Sequence, residues 1–255
     1  MHEIMSRSRK RHVQLELPRL DKNGQRRGGK REGAGRPKKG ARASERHKTR
    51  EVFKRGEPIH VIMRANPDVG SLRTRSIMRA IHEATIVVTR HEARFRIIHL
   101  SLQRTHIHLI VEADNRVALA TGMQAFGISA ARNINRELGG CTGKKQSGRV
   151  FADRYHARIL KTPRQVRNTI AYVLNNWRHH GEDKRAIAKD WAIDPFASGV
   201  MFTGWKQRDE KGYTYRAPPG YLGFVTWQPS LWLLREGWRR WGLINVYEVP
   251  GAGAE

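Results

Sequence analysis

Between residues 57 and 182 the chain alternates strand-like and helix-like apolar segments, and their order constrains the fold more than any other feature. Short strand-like runs fall at 59–64, 95–102, 105–112 and 154–160. Apolar residues recur at helical spacing within 71–93, 115–140 and 163–180. The order βαββαβ, followed by one extra helix, predicts an α+β fold of the ferredoxin-like kind, with helices packed on an antiparallel sheet.

Two of these helices carry terminal signals. Thr162 precedes Pro163, and Gln165 follows three residues after the threonine, which is the pattern of a capping box and predicts where the last helix starts. Gly139 and Gly140 follow the middle helix, where a C-terminal glycine is expected, and predict its end.

The N-terminal residues are strongly basic. The whole chain carries 49 Lys and Arg against 23 Asp and Glu, a net charge of +26 that predicts a polyanionic partner. Residues 1–55 hold half of this charge and little apolar periodicity, so we expect a disordered basic arm. Gly35-Arg36-Pro37 resembles an AT-hook, although a general phosphate-binding tail, with Arg36, Lys38 and Lys39 on DNA, is the favoured interpretation.

We therefore divide the chain into a basic arm (1–55), a central α+β domain (56–182) and a C-terminal appendage (183–255). The appendage holds six of the seven tryptophans, and its segment around Trp232 and Trp241 predicts a helix of about 12 residues. Its tryptophans and arginines could stack on bases, but packing on the main domain is the favoured interpretation.

The remaining bulk features predict a soluble, cytoplasmic protein. Cys141 is the only cysteine, which excludes an internal disulfide and a cysteine-rich metal cluster. No apolar run approaches the roughly 18 residues that a membrane-spanning helix requires. We expect no membrane partner.

The segment HIHLIVEA places two histidines on one face of a strand. Because side chains alternate, Ile107 points to the core while His106 and His108 share the other face, with Cα atoms about 6.6 Å apart. Two imidazoles at this separation can bind one metal ion. Glu112 lies about 13 Å from His106, too far for the same ion, and is expected at the solvent-exposed strand end.

His99 is a conditional neighbour of these histidines. If Gln103 and Arg104 form a two-residue turn, Leu102 pairs with Thr105 and His99 lies opposite His108. A turn one residue longer would move His99 to the other face of the sheet.

The last helix brings a second set of polar residues. Its polar stripe consists of Gln165, Asn168, Tyr172, Asn176 and His179. Tyr172 and Asn176 are one turn apart and lie next to each other. Two histidines and an amide oxygen make three ligands and leave metal positions open for a substrate oxygen. This set suits phosphodiester transesterification by tyrosine.

At these residues the chain resembles the HUH single-strand endonucleases with one tyrosine, specifically the REP-associated tyrosine transposases related to small insertion-sequence transposases. The resemblance covers about residues 57–180 and is carried by HIHLIVEA, GRVFADRYHARIL and AYVLNN. It implies that His106, His108 and Asn176 bind Mg²⁺ or Mn²⁺ and that Tyr172 attacks single-stranded, hairpin-forming DNA. Some relatives exchange the tyrosine helix between subunits, so a homodimer and a same-chain site both stay open.

Several alternatives remain beside this hypothesis. Asn175 replaces Asn176 as ligand if the helix is shifted, and Tyr155 is the rival nucleophile, although we favour a structural role for it. Arg154, His156 and Arg158 beside it are candidate phosphate contacts. A non-catalytic domain on an RRM-like sheet is the alternative function, but neither middle strand has the expected aromatic motif. A domesticated relative that no longer mobilises DNA would carry the same site.

Overall fold

The structure is a computed structural model that describes residues 51–91, 94–142, 148–211 and 215–249. Most of the basic arm, with Arg36, Lys38 and Lys39, lies outside the described residues. The side chain of Cys141 lies outside them as well. In the part of the chain that is described, no helix is long and apolar enough to cross a membrane.

Four strands form one antiparallel sheet in the order β2-β3-β1-β4. The strands are β1 (Ile59–Arg64), β2 (Phe95–Leu102), β3 (His106–Ala113) and β4 (His156–Ile159). This order places β1 and β3 in the middle, so the residues of both central strands are covered by packing on two faces. The ferredoxin-like α+β fold predicted from the sequence is confirmed.

The helices are α1 (Arg75–His91), α2 (Arg116–Thr142), α3 (Pro163–His179), α4 (Lys206–Lys211) and α5 (Trp232–Arg235). The predicted end of α2 at Gly139 and Gly140 is wrong, because the helix runs through both to Thr142. Each internal glycine costs about 0.5–1 kcal/mol relative to alanine. Leu138, just before them, packs against the core, and such packing can outweigh that cost.

The capping box of α3 is present as predicted. The Thr162 side chain accepts a hydrogen bond from the Gln165 backbone N–H at 3.2 Å, and Gln165 Oε1 accepts one from the Thr162 backbone N–H at 3.3 Å. A cap of this kind contributes about 1 kcal/mol and sets the helix start. The start in turn decides which α3 side chains face the sheet.

The sheet has a core on each side. One core joins α1 and α2 to inward side chains of the sheet, among them Val61, Leu100, Ile107, Leu109 and Val111. The other joins Ile98 and Ile110 to α3 and to the appendage at 183–255, called the C-terminal region below. Its residues in this core include Trp205, Leu234, Trp238, Ile244 and Val246. Helix α3 is therefore packed between the sheet and the C-terminal region.

The C-terminal region also covers the outer edge of β2. The Leu102 N–H donates to the Phe196 carbonyl and the Trp227 N–H donates to the Ile97 carbonyl, both at 2.8 Å. An unpaired strand edge is prone to wrong pairing, and these bonds occupy it.

The predicted helix of about 12 residues around Trp232 is wrong. The segment forms the short helix α5 and a separate 3-10 turn over Gly237–Trp241. The chain turns at Glu236, and a Cβ on Gly237 would lie 2.7 Å from the Trp232 ring. This close approach accounts for the glycine at the break.

Candidate metal and nucleophile site

Strand β3 separates its side chains as its alternating pattern predicts. Ile107, Leu109 and Val111 are fully buried in the core beneath α1 and α2. His106 and His108 lie on the opposite face, the one that α3 covers. The strand therefore turns both imidazoles towards the helix.

Three polar side chains converge on that face. His106 Nε2 lies 2.9 Å from His108 Nε2, and Asn176 Nδ2 lies 3.1 Å from the same His108 atom. Neighbouring ligands of an octahedral ion bound at about 2.1 Å are about 3.0 Å apart. The distances between these side chains therefore fit three ligands that bind the same divalent ion.

The side-chain amide of Asn176 also fits the role of a metal ligand. Its Oδ1 atom is buried and has no hydrogen-bond partner among the described residues. A half-turn of the amide places Oδ1 beside His108 Nε2, and an amide oxygen is the atom that a hard divalent ion prefers. No group of three or more His, Cys, Asp or Glu side chains suited to a metal occurs in the described residues, so Asn176 would have to supply the third ligand.

Tyr172 lies beside the same histidines and in the same chain. Its side chain is only 7% exposed, and its ring centroid lies 5.1 Å from that of His108 in an edge-to-face contact. One helical turn separates it from Asn176, as the sequence pattern predicts. The face of α3 that carries both residues is the face that packs on the sheet.

The structure separates the two neighbouring asparagines of α3. Asn176 contacts His108, whereas Asn175 Nδ2 donates a hydrogen bond to the Asn245 carbonyl at 3.0 Å. Asn175 therefore faces the C-terminal region. Of the two candidate ligands, Asn176 is the one whose amide lies at the histidines.

A third histidine at this site was missed from the sequence. His60 of β1 is buried, and its Nε2 lies 3.1 Å from His108 Nδ1 with the two rings stacked. The alternation of β1 puts His60 on the face opposite Ile59 and Val61, which is a signal in the sequence. Its partner depends on the pairing of β1 with β3, and no local pattern reveals that pairing.

Burial keeps these imidazoles neutral at pH 7. Desolvation, with smaller contributions from Arg158 and His106, lowers the pKa of His60 to about 4. Desolvation, then His180 and Arg64, lowers the pKa of His106 to about 4. The pKa of His108 lies well below its ordinary value, again mainly through burial. Neutral imidazoles have the lone pair that a metal ion requires.

A basic rim surrounds the site. Arg64 is paired in register with His106, Arg158 with His60, and both arginines are exposed. His180, just after α3, has its ring centroid 6.1 Å from that of His106. The pKa of His180 is lowered, chiefly by partial burial and then by His179. Arg154 and His156 are also exposed, on or beside the edge strand β4.

Three other predicted residues of α3 do not join the site. Gln165 is engaged in the capping box, and Asn168 and His179 are exposed. Tyr155 packs against the core on the α1 and α2 side of the sheet, away from His106 and His108. Of the candidate nucleophiles, only Tyr172 contacts the histidines through its ring.

The predicted pairing of His99 with His108 is wrong. The Gln103 N–H donates to the His106 carbonyl, so the turn consists of Arg104 and Thr105. This one-residue move of the turn places His99 opposite Ile110 and Ser101 opposite His108. His99 keeps the same face of the sheet, but its ring contacts Phe202, with ring centroids 5.3 Å apart.

Glu112 is also not the solvent-exposed residue that its place near the strand end predicts. It is fully buried, and its carboxylate lies 3.1 Å from Arg96 Nε. It accepts hydrogen bonds from the backbone N–H groups of Ser230 and Leu231 at 2.9 Å and from the Ser230 hydroxyl at 2.6 Å. Glu112 therefore attaches the C-terminal region to the sheet.

Fold and site together define an α+β domain in which a tyrosine, two histidines and an asparagine meet on one face of the sheet. Residues 58–176 match the family model described as "Transposase IS200 like". This matched segment, 119 of the 255 residues, is similar to the IS200-like transposases. No curated protein matches the chain.

The solved structures to which the backbone is similar include two transposases. A REP-associated tyrosine transposase bound to a REP hairpin is 18% identical with a TM-score of 0.42, covering 73% of this chain and 96% of its own. A putative transposase from Deinococcus radiodurans R1 is 12% identical with a TM-score of 0.33, covering 56% of this chain and 98% of its own. A bacterial tRNA(His) guanylyltransferase-like protein in complex with GTP is 13% identical with a TM-score of 0.37. The match covers 55% of this chain and 68% of that protein.

Proposed function

We propose that this chain is a transposase that nicks and rejoins single-stranded, hairpin-forming DNA through a covalent phosphotyrosine. The observation that carries the proposal is the meeting of Tyr172 and Asn176 of α3 with His106 and His108 of β3. A phenol beside three potential metal ligands, in a chain of net charge +26, suits attack on a DNA phosphate. The proposed setting is the cytoplasm, on nucleoid DNA.

In the proposed step Tyr172 is the nucleophile. Its phenol loses a proton, Oη forms a bond to the scissile phosphorus, and the bond to the 3′-oxygen breaks. The products are a 5′-phosphotyrosine and a 3′-oxygen that takes up a proton as a hydroxyl. One phosphodiester replaces another, so a 3′-hydroxyl can reverse the attack without ATP.

His106, His108 and the Asn176 amide oxygen are the proposed ligands of Mg²⁺ or Mn²⁺. Such an ion would polarise the scissile phosphate and favour the phenolate of a tyrosine, whose ordinary pKa is near 10. His60 has a positioning role in this scheme. Because His108 Nδ1–H can donate to His60 Nε2 at 3.1 Å, His108 keeps its Nε2 lone pair for the ion.

The exposed arginines of the rim, Arg64 and Arg158, are proposed to bind the phosphates on either side of the cleaved bond. Arg154 and His156 extend this basic edge along the chain. Phosphate contacts of this kind position a strand without selecting its sequence. Arg36, Lys38 and Lys39 of the basic arm are proposed to add general affinity for DNA.

The test is formation of a covalent protein–DNA adduct on labelled single-stranded hairpin DNA with Mn²⁺, followed on a denaturing gel. We expect an adduct with the wild-type chain and none with Tyr172→Phe. Tyr155→Phe is the matched control and should keep the adduct, since Tyr155 packs on the other side of the sheet. An adduct in Tyr172→Phe would overturn the assignment of the nucleophile.

A non-catalytic DNA-binding domain is the competing function. It predicts that the wild type binds the hairpin with the same affinity in EDTA and in Mn²⁺ and never forms an adduct. A domesticated enzyme would form the adduct but not mobilise a marked element in cells. The adduct assay and a mobilisation assay therefore separate the three cases.

A further inference from the structure

A cavity of about 250 Å³ lies on the β2 side of the same sheet face and is not part of the histidine site. His99 and Ile98 of β2 contribute to its lining, and the C-terminal region provides the rest. His99 stands opposite Ile110, two residues along β3 from His108. The cavity therefore neighbours the proposed cleavage site.

The size of this cavity limits what can bind there. Pockets for drug-sized ligands are typically about 300–1,000 Å³, so this one suits a smaller group. Its walls include three aromatic side chains, Phe202, Trp227 and Trp238. Flat aromatic walls around a small volume favour a flat ring as the occupant.

Polar side chains line the same cavity. Thr203, Thr226 and Gln228 offer hydroxyl and amide groups that both donate and accept hydrogen bonds. A nucleobase has this combination of an aromatic face and polar edges. A purely aliphatic ligand would offer these groups no hydrogen-bond partner.

Two arginines also line the cavity. Arg235 is exposed and paired with Glu236, and Arg239 stacks over the Trp238 ring at 5.0 Å while donating a hydrogen bond to Thr203. Positive charge beside an aromatic pocket matches a base that is joined to a phosphate.

We propose that this cavity binds one unpaired nucleobase of the DNA strand that is cleaved at Tyr172. The proposal rests on the proposed function, because the occupant belongs to the same DNA. It assigns the C-terminal region a part in recognition, in addition to its packing on α3. Trp227 is the proposed stacking wall, because Trp238 and Phe202 are buried in the protein core and Trp227 is partly exposed.

The experiment uses the full ¹⁵N-labelled chain and follows the tryptophan indole N–H resonances by NMR. The Trp227 indole N–H is buried and makes no hydrogen bond to any described residue, so its resonance reports changes at this wall. Trp227→Phe identifies the resonance. The probes are the four deoxynucleoside 5′-monophosphates, with inorganic phosphate as the comparison.

We expect at least one nucleotide to shift the Trp227 resonance in a saturable way, with a dissociation constant of about 1 mM, the scale of a single small ligand. Thr203→Phe, which fills the exposed side of the cavity, should weaken this binding at least about tenfold. Thr203→Ser keeps the hydroxyl and the space and should bind like the wild type.

Three results would overturn the proposal: no nucleotide shifts the resonance, inorganic phosphate shifts it equally, or Thr203→Phe binds as well as wild type. Failure here is distinct from failure of the proposed function. If the adduct still forms at Tyr172, the cleavage chemistry stands and only the base pocket is lost. If the nucleotide binds but no adduct forms, the pocket stands without the cleavage chemistry.

Discussion

The Nε2 atom of His60 lies 3.1 Å from Nδ1 of His108, so a buried histidine of β1 supports a proposed metal ligand of β3. Loss of such a supporting contact typically lowers metal affinity 10–100-fold. We expect His60→Leu to weaken Mn²⁺ binding by about this factor in isothermal titration calorimetry. His60→Gln, which offers an amide oxygen as acceptor, should recover part of the loss.

The control for His60 is His179→Leu, since His179 is exposed at the end of α3. Its Mn²⁺ affinity should equal that of the wild type. Equal affinity in His60→Leu and wild type, with both chains folded by circular dichroism, would show that the contact has no positioning role.

The two adjacent asparagines give a matched pair of variants. We expect Asn176→Ala to lose at least about tenfold in adduct formation, because it removes a proposed ligand. Asn175→Ala should keep the adduct but lose about 1 kcal/mol of unfolding free energy, through its lost hydrogen bond to the Asn245 carbonyl. Urea unfolding and the adduct gel measure the two effects. The reverse pattern would assign the ligand role to Asn175.

Glu112 should be important for stability. Glu112→Ala leaves Arg96 without this partner and removes the acceptor of two backbone N–H groups, so we expect a loss of about 3–5 kcal/mol in unfolding free energy. Glu83→Ala, which removes an exposed pair with Arg136, should cost no more than about 1 kcal/mol. Similar losses in the two variants on urea unfolding would contradict the structural role of Glu112.

His99 should make the fold sensitive to acid. Burial lowers its pKa from 6.5 to about 4, so the folded state favours the neutral ring. The stability that this contributes is present above pH 6.5 and is lost as the pH falls towards 4, by up to about 3 kcal/mol. We expect His99→Gln to lose less unfolding free energy than wild type between pH 7 and pH 4.5. Equal losses of unfolding free energy in the wild type and in His99→Gln between these two pH values would contradict burial of a neutral His99.

Helix α3 should act on the histidines of its own chain. Arg167 is paired with Glu248 at 2.7 Å, and Arg178 Nε donates to the Val246 carbonyl at 2.7 Å, so the chain's own C-terminal residues hold the helix. Exchange of α3 alone between subunits would break these contacts, and exchange of α3 together with the residues after it would break the backbone hydrogen bonds that join Phe196 and Trp227 to β2. We expect a mixture of Tyr172→Phe with the double variant His106→Ala/His108→Ala to form no adduct. Adduct formation by the mixture would indicate a site shared between subunits.

The sequence predicts the parts of the fold that depend on local patterns. The strand at 59–64, the capping box at Thr162 and the one-turn spacing of Tyr172 and Asn176 are all present, because alternation, caps and helical period act between neighbouring residues. His60 and Glu112 were missed or misplaced because their surroundings come from residues about 48 and 118 positions away in the chain. The register of His99 depended on a single residue of the turn, which composition alone does not determine.

The match to the transposase family ends at residue 176, inside α3, but the second core continues to Val246. A fragment trimmed to the matched region would end before Trp177, a fully buried residue, and would expose the apolar surface that Trp205, Leu234 and Trp238 cover. Exposed surface of this kind favours aggregation. The segment that matches the family model is thus shorter than the packed core of the structure, and the tryptophan-rich residues belong to that core.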